Sequence, residues 1–331
     1  MSNPNYVVGW SDDIWGFEIA RALGCDFVPA KSEYYTPENT PVPKIVEEAG
    51  NDIYRELRGS HVLTVRRLSQ LPDRNTFCRY IANYPRIAAS LLDEETFNAK
   101  QVDALHPYFI LGRQDKNPTT DPKAFKDRGK DIGYRYEAGL FGGARILSFH
   151  PHFHREPGPV KVKTMVGDVD VVSLDAVPSL VKYSRANCID QDWLVVSPDL
   201  SGGGEYMIAR DFARNAGMEF ACLEKERSAP DATKHNGKID ARGRNVLIID
   251  DLSCTLGTIA GAGDAIVNHG DLRALLVHGL MPETGLIRAH AMSRGSGGKR
   301  IDVVTTDCIK SDYSRISLID ELVKFYEMDG V

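Results

Sequence analysis

The chain has 331 residues, of which 42% are hydrophobic and 26% charged, a balance typical of a globular protein of about two domains. Its formal net charge of −6 argues against nucleic acid as a partner, because nucleic-acid-binding surfaces are basic. No apolar run reaches the ~18 residues of a membrane span, and the start of the sequence lacks the features of a secretory signal. Six cysteines without a CxxC pair fit reduced thiols, so we expect a cytoplasmic protein without membrane contact.

Strand-like apolar runs alternate with helical stretches along the whole chain. In the first half, strands are predicted at 6–9, 61–65, 102–109 and 145–149, and helices at 13–23 and 74–92. In the second half, strands are predicted at 193–197, 219–223, 246–249, 274–278 and 301–306, and helices at 204–216, 259–268 and 317–327. This alternation predicts an α/β fold of two domains, each with a mainly parallel sheet flanked by helices.

The boundary between the two domains is predicted near a Pro- and Gly-containing stretch, residues 155–159, which interrupts the alternation. We therefore place the first domain at residues 1–158 and the second at residues 159–331. The last predicted helix is expected to pack back on the first domain.

The first candidate binding segment follows the strand predicted at 102–109. Aromatic and aliphatic residues lead into Arg113, Gln114 and Asp115. A guanidinium group can stack on a base or clamp a phosphate, and Gln114 can hydrogen-bond a base edge. The alternative is an ordinary surface turn after a strand.

Three alternating histidines, His150, His152 and His154, end the next strand. Together they could bind a metal ion as a three-histidine site. Pro151 interrupts a regular strand, which favours His150 alone as a ligand beside a phosphate-bound magnesium ion. His152 and His154 can then be structural.

A Gly-rich loop follows the strand predicted at 193–197 and precedes a helix. It contains Asp199, Ser201, Gly202 and Gly203. Glycines let the backbone approach a ligand closely, and a helix N-terminus favours an anion. Strand–Gly–helix turns are common in α/β proteins, so this loop indicates an anion site only in combination with a second such loop.

A charged segment lies between the two candidate anion loops. Lys225 and Arg227 lead into a polar stretch, residues 228–237, that contains Pro and Gly. A solvated charged loop is the ordinary interpretation. A mobile segment that closes cationic groups onto a polyphosphate would have the same composition.

The second anion loop is the most informative segment of the chain. The strand predicted at 246–249 runs into two adjacent acids, and a helix follows a short loop of small and hydroxyl residues. The loop comprises Asp250, Asp251, Ser253, Cys254, Thr255, Leu256, Gly257 and Thr258. Its N–H groups and hydroxyls suit a phosphate dianion, and its carboxylates suit ribose hydroxyls or a metal ion. The alternative is a strand–turn–helix connection with an aspartate cap.

These five segments occur in the order found in ribose-phosphate diphosphokinases, and the resemblance covers roughly residues 55–330. It implies two domains of the type I phosphoribosyltransferase-like fold. The chain departs from the family at residues 1–57, which match poorly, and at Cys254, where many members carry a third acid. The Gly-rich loop is also longer, with Leu200 and Ser201 before the glycines.

The resemblance implies transfer of the diphosphoryl group of ATP to ribose 5-phosphate, which gives phosphoribosyl diphosphate and AMP. The implied roles are as follows: Arg113, Gln114 and Asp115 bind ATP; His150 and Asp199 hold Mg²⁺; Asp199, Ser201, Gly202 and Gly203 form the diphosphate loop; Lys225 and Arg227 are catalytic; and residues 250–251 and 253–258 bind ribose 5-phosphate. A homo-oligomer, a dimer or larger, is also implied. A phosphoribosyltransferase, a non-catalytic regulatory homologue and a related sugar-phosphate kinase stay open.

Overall fold

The computed structural model describes residues 3–35, 40–46, 52–69, 74–112, 133–154, 156–187, 192–198, 208–229, 232–296 and 298–329. The chain forms two compact units, the first comprising Met1–Leu68, Pro72–Leu174 and Ile319–Val331 and the second comprising Ser69–Leu71 and Asp175–Leu318. The predicted boundary between residues 158 and 159 falls inside the first unit, because the two strands that follow it extend that unit's sheet.

The elements of the first half of the chain are, in order, β1 (Tyr6–Trp10), α1 (Trp15–Leu23), β2 (Asp26–Tyr35), β3 (Thr40–Ile45), α2 (Ile53–Leu57), β4 (His61–Val65), β5 (Leu68–Ser69), α3 (Arg74–Leu92), β6 (Gln101–Leu105), α4 (Gly133–Gly139), β7 (Arg145–Phe149), β8 (Gly158–Thr164) and β9 (Gly167–Leu174).

The elements that follow are α5 (Val177–Asn187), β10 (Trp193–Ser197), α6 (Ile208–Ala216), β11 (Glu219–Cys222), β12 (Glu224–Ala229), β13 (Ala232–Asn236), β14 (Ile239–Asp240), β15 (Asn245–Ser253), α7 (Gly257–Ala265), β16 (Ile266–Val267), β17 (Leu272–Gly279), α8 (Glu283–Arg294), β18 (Asp302–Thr306), β19 (Ile309–Lys310), β20 (Ser314–Ile316) and α9 (Ile319–Asp329).

The first unit is built on an eight-stranded sheet in the order β3-β2-β1-β4-β6-β7-β9-β8. Neighbouring strands from β2 to β9 pair in parallel, and β3 and β8 add antiparallel edges. All five residues of β4, His61–Val65, are buried, as expected of an inner parallel strand that is covered on both faces.

The second unit is built on a six-stranded parallel sheet in the order β11-β10-β15-β17-β18-β20. Its core combines β-branched strand residues such as Val246 and Ile248 with Ile259 and Ala262 of helix α7. The predicted α/β fold with mainly parallel sheets is confirmed. Ligands of such sheets bind beyond the carboxyl ends of the strands, which is where β15 meets α7.

Several element boundaries differ from the sequence-based predictions. The strand predicted at 102–109 ends at Leu105, because Pro107 follows closely and cannot donate to a strand ladder. The strand predicted at 246–249 extends to Ser253, and the helix predicted from residue 259 begins at Gly257. Three hairpins were not predicted, because alternation of strand and helix signals favours crossovers over hairpins: β2–β3, β8–β9 and β12–β13. Helix α8 was not predicted either.

A buried carboxylate anchors helix α9 to the sheet of the first unit. Asp103, on β6, accepts hydrogen bonds from His61 Nε2 at 2.9 Å, from Arg145 Nη2 at 2.7 Å and from the Tyr326 hydroxyl of α9 at 2.8 Å. Burial alone would raise the pKa of Asp103, but the hydrogen bonds and charges of His61 and Arg145 outweigh burial and lower it to about 2. The group therefore stays ionised inside the unit.

Across the described part of the chain, none of the helices has both the length and the apolar character that crossing a bilayer requires.

Candidate active site

The loop between β15 and α7 is short and tightly placed. Strand β15 continues through both acids to Ser253, and α7 begins at Gly257, so only residues 254–256 connect them. Asp251 is buried and Asp250 is half-buried, and the Asp251 N–H donates to the Asp250 carboxylate at 3.0 Å. Successive strand residues face opposite sides of a sheet, so the two carboxylates are not a side-by-side pair. Asp250 is the more accessible of the two.

The backbone of this loop is held in a rare conformation. Leu256 caps α7 with φ 58° and ψ 14°, in the left-handed region that costs a residue other than glycine about 1–2 kcal/mol. Its side chain is fully buried in the core of the second unit, and this packing offsets the strain. The turn presents the first N–H groups of α7, which lack partners within the helix and favour an anion.

Helix α8 lies directly against the loop. A Cβ atom added at Gly285 would lie 2.4 Å from the Cys254 carbonyl oxygen, so only glycine lets α8 approach so closely. One turn further along α8, Arg288 Nη1 donates to the Thr255 carbonyl oxygen at 2.6 Å. These two residues were missed from the sequence, since α8 itself was not predicted.

The side chains of the loop differ in accessibility. Ser253 is buried, Cys254 and Thr258 are half-buried, and Thr255 is exposed. The Leu280 N–H donates to the Ser253 carbonyl oxygen at 2.9 Å, which fixes the end of β15 against the chain that follows β17. Thr255 is therefore the most accessible hydrogen-bonding side chain of the loop.

Strand β10 ends beside this site. Strand β10 pairs in parallel with β15, so the chain leaving β10 emerges at the same sheet edge as the two acids. The predicted diphosphate-loop residues Asp199, Ser201, Gly202 and Gly203 lie outside the described residues.

The charged segment forms an antiparallel hairpin. Lys225 of β12 pairs with His235 of β13, and Arg227 pairs with Thr233. The backbone of this hairpin is described, whereas the side chains of Lys225 and Arg227 lie outside the description. Positions two apart on a strand share one face, so the register places both cationic positions on the same face of the hairpin.

A buried glutamate in the first unit holds the turn that precedes the predicted ATP segment. Glu137 of α4 is 1% exposed, and its carboxylate accepts hydrogen bonds from the N–H groups of Ile110 at 2.9 Å and Leu111 at 2.8 Å. It also hydrogen-bonds His106 Nε2 at 2.7 Å. Arg113, Gln114 and Asp115 themselves lie outside the described residues.

The network continues from His106 into an aromatic cluster. The Tyr80 hydroxyl hydrogen-bonds His106 Nδ1 at 2.9 Å, and the imidazole lies 4.7 Å from the ring of Phe109 and 5.0 Å from that of Phe141. Burial and the charge of Glu137 raise the pKa of Tyr80 well above its ordinary value, so its hydroxyl stays protonated. The sequence held no signal for this network, because its members are distant along the chain.

The three histidines differ in environment. His150 is 1% exposed and has φ 39°, whereas His152 and His154 are half-buried. Phe153 between them stacks on Tyr134, with ring centroids 4.4 Å apart. Over the described residues, no group of three or more His, Cys, Asp or Glu side chains is arranged to hold a metal ion. The three-histidine interpretation therefore has no support in that part of the chain.

Known proteins resemble the chain over most of its length. A ribose-phosphate pyrophosphokinase (a synonym of diphosphokinase) from Methanopyrus kandleri is 25% identical over 317 residues, which is 94% of each chain. One from Aquifex aeolicus is 26% identical over 288 residues, 85% of this chain and 81% of the relative. The chain is a divergent relative of the ribose-phosphate diphosphokinases.

The fold agrees with this relationship. The crystal structure of phosphoribosylpyrophosphate synthetase from Mycobacterium smegmatis matches the fold of this chain with a TM-score of 0.66. The sequence identity is 19%, and the match covers 98% of this chain and 99% of that one. The type I phosphoribosyltransferase-like fold implied by the sequence resemblance is confirmed. No protein-family model matches the chain.

Proposed function

We propose that the chain is a ribose-phosphate diphosphokinase. It transfers the diphosphoryl group of MgATP to the 1-hydroxyl of ribose 5-phosphate and gives phosphoribosyl diphosphate and AMP. The observation that carries this proposal is the loop at 250–258, in which two acids lie near the end of a buried strand and a left-handed Leu256 precedes a helix. Relatives of that name align with most of the chain and support it.

The loop is the proposed site for ribose 5-phosphate. The N–H groups at the start of α7, with the hydroxyls of Thr255 and Thr258, would bind the 5-phosphate, and Gly257 keeps the backbone accessible. Asp250 would accept hydrogen bonds from the ribose hydroxyls, and Asp251 would fix the strand end. Ser253 and Cys254 shape the turn.

The first unit would supply the ATP contacts. Arg113 and Gln114 are proposed to contact ATP, with Asp115 beside them, because they follow a turn that Glu137 holds by two backbone N–H groups. A fixed turn reduces the conformational freedom of the side chains that follow it. Positioning of this kind is a large part of phosphoryl-transfer catalysis.

Lys225 and Arg227 are the proposed catalytic residues. The transferred group carries dispersed negative charge, so catalysis depends on alignment and charge stabilisation. The two positions lie on the same face of the β12–β13 hairpin. This supports the role, because both cations can then approach one polyphosphate.

Mg²⁺ is the proposed metal, and it would neutralise charge on the ATP phosphates. This ion prefers oxygen ligands and binds through one or two carboxylates plus phosphate oxygens, which suits Asp199. His150 stays a predicted ligand, but its 1% exposure leaves little access for a substrate-bound ion. The half-buried His152 is a second candidate ligand.

A product assay tests the proposal. The purified chain is incubated with ATP, Mg²⁺ and ribose 5-phosphate, and the nucleotide product is identified. We expect AMP in equal amount to phosphoribosyl diphosphate. ADP would instead indicate a sugar-phosphate kinase, diphosphate release that depends on a nucleobase would indicate a phosphoribosyltransferase, and no turnover would support the regulatory homologue.

The metal assignment is tested by comparing His152→Ala with His150→Ala. If His152 contacts the ion, its variant needs more Mg²⁺ for half-maximal rate while its thermal stability is kept. His150→Ala should lower the free energy of unfolding, because it leaves a cavity where a buried side chain was. The reverse pattern would return the ligand role to His150.

The homo-oligomeric state and the cytoplasmic location stay predictions. Size-exclusion chromatography with light scattering would measure the first.

A further inference from the structure

We infer that Arg288 is a positioning residue of the ribose 5-phosphate loop, acting through Thr255 and Gly257. The inference rests on the proposed function, because it concerns the same loop. Arg288 lies outside the strand–loop–helix motif and is 33 residues from its partner Thr255 along the chain.

The guanidinium group contacts the loop at Thr255 and lies close to Gly257. Arg288 Nη1 donates to the Thr255 carbonyl oxygen at 2.6 Å. The same nitrogen would lie 3.2 Å from a Cβ atom at Gly257, the first residue of α7. The hydrogen bond occupies the Thr255 carbonyl oxygen, whose partial negative charge would otherwise oppose an anion at this loop.

The dipole of helix α7 also acts on the guanidinium group at this position. The N-terminus of a helix carries partial positive charge, so a cation beside Gly257 is disfavoured in the ligand-free protein. A phosphate dianion at the same helix end reverses that balance, because it is attracted by the helix and by the guanidinium together. Arg288 therefore adds to ligand binding more than to the stability of the free chain.

Helix α8 holds the guanidinium in place. Gly285 lies against the Cys254 carbonyl oxygen, and Ala289 and Met292 are buried in the core of the second unit. The backbone of Arg288 is thus fixed on both sides, although its side chain is exposed.

The experiment compares Arg288→Ala, Arg288→Lys and a control, Arg294→Ala. Arg294 is exposed on the same helix, six residues and therefore about 9 Å further along its axis. Binding of ribose 5-phosphate without ATP is measured by calorimetry, KM values for both substrates are measured by AMP formation, and the melting temperature is measured with and without inorganic phosphate.

For Arg288→Ala we expect ribose 5-phosphate to bind roughly 10- to 100-fold more weakly, with the KM for ATP and the ligand-free melting temperature unchanged. Stabilisation by inorganic phosphate should be lost with it. Arg288→Lys should rescue part of the affinity, because lysine keeps the charge and loses the planar donor geometry. Arg294→Ala should bind as the unmodified chain does.

Unchanged ribose 5-phosphate binding in Arg288→Ala would overturn the inference. A lower ligand-free melting temperature with parallel changes in both KM values would also overturn it, because that is the pattern of a merely structural residue. An unmodified chain that binds ribose 5-phosphate and forms no AMP refutes the proposed function alone. An unmodified chain that binds neither ribose 5-phosphate nor inorganic phosphate refutes the inference as well.

Discussion

Two turns at strand ends are held in opposite ways. Residues 254–256 in the second unit are held by apolar packing, through the buried Leu256, and by the close approach of Gly285. The turn after β6 in the first unit is held by the buried carboxylate of Glu137, which accepts from the N–H groups of Ile110 and Leu111. The first arrangement ends at the N-terminus of α7, whose partial positive charge favours an anion. The second uses its main-chain N–H groups internally, so the proposed ATP contacts rest on the side chains that follow.

The largest expected effect is on kcat and comes from a residue that lies in neither turn. Lys225→Ala should lower kcat by about 10²–10³, because it removes one of the two proposed catalytic cations. Neither turn is altered, so both KM values and the melting temperature should stay close to those of the unmodified chain. Steady-state AMP formation measures this. Unchanged turnover in the purified variant would remove Lys225 from the catalytic role.

Gly285→Val tests the turn that is held by packing. The new side chain would collide with the Cys254 carbonyl oxygen, and overpacking of this kind costs about 1–3 kcal/mol. Because the loop must move, we expect the KM for ribose 5-phosphate to rise roughly 10- to 100-fold while the KM for ATP changes little.

The control is Gly298→Val, since no heavy atom lies within 4 Å of a Cβ atom at Gly298. Calorimetric binding and thermal melting of both variants give the readout. Equal affinities in the two valine variants would mean that α8 does not shape the loop.

Glu137→Gln tests the turn that is held by charge. Glutamine cannot accept from both N–H groups and His106 together, and breaking a buried charged contact costs roughly 3 kcal/mol. We expect a lower free energy of unfolding in urea and a higher KM for ATP, with ribose 5-phosphate binding unchanged. Glu94→Gln, at an exposed position, is the matched control. An unchanged KM for ATP would show that the turn does not position the ATP segment.

Asp103→Asn gives the smallest functional effect, because this buried carboxylate holds a helix and no binding turn. The folded pKa of about 2 lies below the ordinary value of 3.8, so the group stabilises the fold above pH ~4 and loses this contribution as the pH falls toward 2. The shift corresponds to roughly 2 kcal/mol.

We expect urea unfolding of Asp103→Asn at neutral pH to show that loss, and its stability to vary less with pH below ~4. The exposed Asp168→Asn should behave as the unmodified chain. Both KM values should stay the same in both variants. A changed KM for ATP in Asp103→Asn would show that stability losses alone disturb the ATP side, and would weaken the interpretation of Glu137→Gln.

Much of the fold could be predicted because its inner strands are short, apolar and buried on both faces, as in Trp193–Ser197. The strand–loop–helix at 246–265 could be predicted because its parts are consecutive in sequence. The left-handed backbone of Leu256 could not, since a leucine gives no local signal for positive φ. The contacts of Glu137 and Arg288 could not, because they join residues 26–33 positions apart through packing that only the folded chain defines.

The bond between Tyr326 and Asp103 spans 223 residues. Helix α9 belongs to the first unit but is synthesised after the whole of Asp175–Leu318. The first unit therefore lacks one of its helices until the chain beyond Leu318 has been synthesised. A chain that ends before residue 319 would contain the whole sequence of the second unit and would leave the buried Asp103 carboxylate without the Tyr326 hydroxyl.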